Sequence, residues 1–90
     1  GVVLIEAMAC GTPVIAYENK GPNEIISNYI DGILIKQYNV KEFSNAIIQL
    51  FSDAECWEKM SENAYQKACK FSAEKTVEHF IDYITHNKEE

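Results

Sequence analysis

Apolar residues open the chain almost without interruption, from Val2 to Cys10, until Gly11 stops them; a second apolar run, Val14 to Tyr17, begins behind Pro13. The first run has helical length and predicts a buried helix over residues 2–10. The second is short and proline-led and predicts a strand. Glu18-Asn-Lys-Gly-Pro-Asn-Glu24 is rich in turn formers, and Pro22 suits the first turn of a short helix running to about Asn28, with Glu24 in that same turn. Asp31-Gly32 then turns the chain into a second strand, Ile33 to Ile35 or Lys36. Both strand runs are continuously apolar rather than alternating, which predicts parallel strands covered on both faces, a partial Rossmann-like α/β layer.

From Asn39, a candidate N-cap, the period becomes helical. Val40, Phe43, Ala46, Ile47, Leu50 and Phe51 share one face, and Ser52-Asp53 ends the element. A further helix over about 54–70 carries Trp57, Met60, Ala64 and Ala68, with Phe71 just beyond. Ser72 is a candidate N-cap for a last helix over about 73–86, with Val77, Phe80, Ile81 and Ile84 on one side and a frayed tail at 87–90. These stripes read as core rather than as ligand platforms.

One residue disturbs the first helix. Glu6 is a carboxylate among apolar neighbours, and a buried charge needs a partner. The partner is either structural, a backbone amide or a lysine, or a ligand. A helix opening at Gly1 and Val2 offers unpaired N–H groups and the positive end of its dipole, which suit a diphosphate or sugar hydroxyls. Glu6, one and a half turns in, could accept both hydroxyls of a ribose.

Composition narrows the classes. Hydrophobic residues make up 47% of the 90, charged residues 24%, and Pro plus Gly only six, which describes a globular chain with a modest core. No apolar run is long enough to cross a membrane, and no basic flank marks a signal peptide. The net charge of −6 argues against nucleic-acid binding. Cys10, Cys56 and Cys69 are odd in number and match no metal spacing, so reduced, buried thiols in a cytoplasmic protein are expected. His79 and His86 have no partners at ligand spacing and read as surface residues, and no metal is expected. No Gly-x-Gly-x-x-Gly follows a strand, which sets aside a dinucleotide-dependent oxidoreductase.

The run from Gly1 to Ala16, followed by Lys20-Gly-Pro-Asn-Glu-Ile-Ile26 and Asp31-Gly-Ile-Leu-Ile35, closely resembles the C-terminal domain of retaining family 4 glycosyltransferases, which use nucleotide sugars and have the GT-B fold. Glu6 matches the second glutamate of that family's Glu-x(7)-Glu motif. The first would precede Gly1, and with the absence of an initiating methionine this leads us to expect a fragment.

The resemblance implies that the amides of Gly1, Val2 and Val3 face donor sugar and phosphate, that Glu6 holds the ribose, and that Lys20, Gly21 and Glu24 belong to a donor loop. It implies no catalytic residue in this chain, no cofactor beyond the nucleotide-sugar donor of UDP or GDP type, and a glycan or lipid-linked acceptor bound by another domain. Residues 1–71 would be the end of the donor-binding domain and 72–90 a helix crossing back to that other domain, leaving its stripe exposed or docked on another copy. The expected function is donor-side participation in a hexosyl transfer with retention, in polysaccharide biosynthesis, the chain alone being inactive. A cytoplasmic protein with peripheral association at the inner membrane face is the expected setting. The competing expectation is a non-catalytic α/β interaction module that keeps only the core pattern.

Overall fold

The computed structural model describes residues 2–88. Its elements are α1 (Val2–Ala9), β1 (Val14–Tyr17), α2 (Lys20–Ile25), β2 (Gly32–Ile35), α3 (Val40–Ser52) and α4 (Ala54–Lys88). The strands pair in parallel, with Val14 opposite Gly32 and Tyr17 opposite Ile35. Continuous apolar strands do mean that both faces are covered. Val14, Ala16 and Leu34 pack toward Met8, Ile25, Ile26, Ala64 and Ala68, on the side of α1, α2 and the middle of α4. Ile15, Tyr17, Ile33 and Ile35 turn the other way, toward Phe43, Ala46 and Leu50 of α3 and Cys56, Trp57 and Met60 of α4. α4 therefore serves both clusters, and fully burying one side chain such as Ile35 contributes roughly 1.5–3 kcal/mol.

The element ends follow from local chemistry. Gly11, at φ +71, closes α1 in a Schellman arrangement: its N–H donates to the Met8 carbonyl and that of Thr12 to Ala7. Asn39 caps α3, accepting from the Glu42 N–H at 3.0 Å while its amide donates to the Glu42 carboxylate at 3.1 Å. Asp53 caps α4 through the Cys56 N–H at 3.1 Å.

Four expectations need correction. α2 ends at Ile25, three residues early, because Ile26 leaves helical geometry and the chain turns at once into Asn28–Asp31. Glu24 consequently sits beyond the first turn of α2, which begins at Lys20. Ser72 starts no new helix, since α4 runs unbroken from Ala54 to Lys88 and the Thr76 hydroxyl donates to the Ser72 carbonyl within it. The thiols are free as expected but not buried: Cys10 and Cys69 are exposed and Cys56 is half-buried.

The two halves of α4 differ. Met60, Ala64 and Ala68 are buried, whereas Val77, Phe80, Ile81 and Ile84 are all exposed. The molecule is accordingly long, 56 × 27 × 15 Å, with a radius of gyration of 16.2 Å against about 12 Å for a compact chain of this length.

Candidate functional site

Topology decides which ends meet. α1 leads directly into β1 and runs back against it, so the start of α1, the carboxyl end of β1 and the start of α2 lie at one edge of the sheet. Because β2 is parallel to β1, its carboxyl end lies there too. In open α/β layers this is the edge where ligands bind. Gly1, one of the expected ligand-facing residues, lies outside the described residues. Val2 begins α1, and Val3 is 77% exposed.

Glu6 departs from its expected setting. α1 is not buried all round: Leu4, Ile5 and Met8 pack inward, while Val3, Glu6 and Cys10 form an open face. The carboxylate is exposed, about 6 Å along the helix axis from Val2. Among the described residues it makes no side-chain hydrogen bond or ion pair. Its charge is thus carried by solvent and no buried partner is required, which removes the energetic puzzle and leaves both carboxylate oxygens free to accept.

α2 brings Lys20 and Gly21 to the same edge. Asn19 caps it by accepting from the Lys20 N–H at 2.8 Å, and its own N–H donates to the Asn23 side chain at 3.1 Å. Lys20 and Glu24 are exposed and Gly21 is half-buried, with open space where a Cβ would stand. Glu24 lies one turn further on, about 6 Å from Lys20 along the axis. The candidate residues thus gather as an open edge. Two grooves of about 240 and 220 Å³ lie elsewhere, against the first half of α4, and neither includes Glu6, Lys20 or Glu24.

Sequence reasoning missed the most deeply held charges. Asp31, which reads as a simple turn residue, is 2% exposed and pairs with Lys67 of α4 at 2.8 Å. Its second oxygen accepts from the Ser27 N–H at 2.8 Å. Lys67 donates further to the Ile25 carbonyl at 2.8 Å and to the Ser27 hydroxyl at 3.1 Å. No local spacing signals this pair, because Asp31 lies in the turn before β2 and Lys67 far along the chain in α4. On the outer half of α4, His86 lies exposed beside Asp82 at 3.1 Å. No helix among the described residues is long and apolar enough to cross a membrane.

A two-stranded parallel layer with α1 and α2 at its carboxyl edge and a long final helix matches the C-terminal portion of a GT-B glycosyltransferase fold. Crystal structures of Anabaena HepE, in complex with UDP-glucose and with UDP, superpose on 92% of this chain and 24% of theirs, with TM-scores of 0.76 and 0.77 at 24% identity. Residues 1–67 match the family described as Glycosyl transferases group 1, and the chain belongs to that family.

The relatives it matches are far longer than this chain. Spinach (Spinacia oleracea) sucrose-phosphate synthase is 34% identical over 85 residues, covering 94% of this chain and 8% of its own length. The poly(glycerol-phosphate) alpha-glucosyltransferase of Bacillus subtilis is 32% identical over 81 residues, covering 89% and 12%. The putative glycosyltransferase EpsD of the same organism is 35% identical, covering 91% and 22%. The chain therefore spans between 8% and 22% of the length of these three relatives.

Proposed function

We propose that this chain forms the donor side of a retaining glycosyltransferase that moves a hexosyl group from a UDP- or GDP-type nucleotide sugar to a glycan or lipid-linked acceptor. In this reading Glu6 receives the ribose hydroxyls, the amides of Gly1 and of Val2 and Val3 face the donor sugar and its phosphates, and Lys20, Gly21 and Glu24 border them. The observation that carries the reading is the exposed, unpaired Glu6 carboxylate on the open face of α1, beside the carboxyl edge of a parallel sheet. The UDP-glucose complex of HepE, which shares the fold, supports it. The chain supplies a cradle: amides and a carboxylate orient the donor, and no residue here acts as the catalyst. Acceptor binding belongs to another part of the protein, which works in the cytoplasm at or near the inner membrane face in polysaccharide biosynthesis.

The test is calorimetric titration of UDP, GDP and ADP into the full-length protein carrying this chain and into its Glu6→Ala variant. One nucleotide binds, and the variant binds it at least about tenfold more weakly, the worth of losing a single charge-assisted hydrogen bond of about 1.5 kcal/mol. Because Glu6 is exposed, the variant's stability stays within about 0.5 kcal/mol of the parent. Equal affinity in parent and variant refutes the ribose role.

A further inference from the structure

α2 has six residues, and its only buried side chain is Ile25. A helix this short has little stability of its own. Something else must set its position, and the contacts show what does. The Lys67 ammonium has three N–H donors and three acceptors: the Asp31 carboxylate, the Ile25 carbonyl and the Ser27 hydroxyl. All three acceptors lie in the segment that leaves α2 and enters β2. Asp31 in turn holds the Ser27 N–H, so the segment is gripped at its carbonyl, its hydroxyl and its amide by one ion pair. The pair is well shielded, with side-chain exposures of 24% for Lys67 and 3% for Asp31.

The ammonium also sits against a carbonyl at the C-terminal end of α2, where a cation is favoured. Asn63 adds a parallel tie one turn earlier on α4, donating to the Ile30 carbonyl at 2.9 Å. α4 is anchored at both clusters of the core and is the rigid member. α2 is the member being held.

We propose that Lys67 is a positioning residue for the nucleotide-sugar donor: through Asp31, Ser27 and the Ile25 carbonyl it holds α2 so that Lys20 and Gly21 stay at the carboxyl edge beside α1. The proposal rests on the donor-side reading above and extends it to a residue that does not itself reach the edge. Removing the ammonium frees the far end of α2, and a shift of an ångström at a binding edge is costly in affinity. A side chain that served stability alone would lower the melting temperature and leave the affinity of the folded protein unchanged.

The experiment uses the full-length protein with Lys67→Met, Lys67→Arg and Ser27→Ala, titrated with UDP, GDP and ADP well below each variant's melting temperature. Lys67→Met binds the nucleotide that the parent prefers about tenfold more weakly, Lys67→Arg recovers most of that loss, and Ser27→Ala loses about twofold. Unchanged affinity in folded Lys67→Met overturns the proposal, as does a loss that Lys67→Arg fails to recover. If Lys67→Met does not fold, Ser27→Ala decides, since it removes only the 3.1 Å contact: parental affinity in that variant overturns the proposal. Loss of binding in Glu6→Ala with full binding in Lys67→Met overturns this inference alone, whereas a parent that binds none of the three nucleotides overturns the donor-side reading with it.

Discussion

Met60 and Phe80 stand on the same helix and belong to the same kind of sequence stripe, yet the structure assigns them opposite energetic weights. Met60 is 2% exposed, in the cluster that holds Ile33, Ile35, Ala46 and Leu50, whereas Phe80 is 64% exposed. Met60→Ala removes a methylene, a sulfur and a methyl group from a closed core, roughly 2 kcal/mol of transfer at about 0.8 kcal/mol per CH₂-sized group. The cavity left between sheet and helices adds to this and brings the loss to about 3 kcal/mol, inside the range of about 2–5 kcal/mol for buried Met→Ala changes. A chain of 90 residues holds about 5–13 kcal/mol in total, so the change consumes a large share. At about 4–8 °C per kcal/mol for a domain of this size, the melting temperature falls by about 12–24 °C. Phe80→Ala loses little buried area and gains helix propensity, so it stays within about 0.5 kcal/mol of the parent. Urea unfolding followed by far-ultraviolet circular dichroism measures both. The assignment is refuted if Met60→Ala costs less than about 1 kcal/mol, or if Phe80→Ala costs as much as Met60→Ala, because either result means the apolar weight of α4 is distributed otherwise.

Gly32→Ala should destabilise the sheet by about 1–3 kcal/mol, read as a fall in melting temperature, because a Cβ there would stand 2.8 Å from the Val14 carbonyl oxygen of the paired strand, an atom that cannot yield without breaking register. Under native conditions Cys10 and Cys69 should react with an aromatic disulfide reagent before the half-buried Cys56; in urea all three should react alike, and equal rates in the native protein would contradict the exposures seen here.

Much of the inner architecture was legible because single residues carried the decision. Gly11 could stop α1 because the position needs a positive φ. The two strands announced a doubly covered sheet because neither face could afford a polar residue. Asn39 was recognisable as a cap because the helical period starts directly after it, and in the structure it accepts the Glu42 N–H and donates to the Glu42 carboxylate. Glu6 was legible in identity but not in setting: apolar neighbours suggest burial all round, whereas an eight-residue helix can bury one face and leave Val3 and Glu6 on the other. The Asp31–Lys67 pair was not legible at all, since nothing local distinguishes a turn aspartate that meets a distant lysine from one that meets water.

The continuity of α4 shows why a cap motif alone cannot end a helix. Ser72 followed by an apolar period has the composition of a helix start, but a start requires the preceding residue to leave helical geometry, and nothing between Ala54 and Lys88 is a glycine or proline that would favour leaving. Nucleation is the expensive step of helix formation and propagation the cheap one. The inner half of α4 is nucleated by the core through Met60, Ala64 and Ala68, so each added residue needs to gain only its own hydrogen bond. Residues 72–86 therefore extend the helix without burying their stripe, and polar side chains join in: Thr76 and Thr85 donate back to the carbonyls of Ser72 and Ile81, and His86 meets Asp82. Packing explains α4 as far as Phe71, and propagation from that packed half explains the rest.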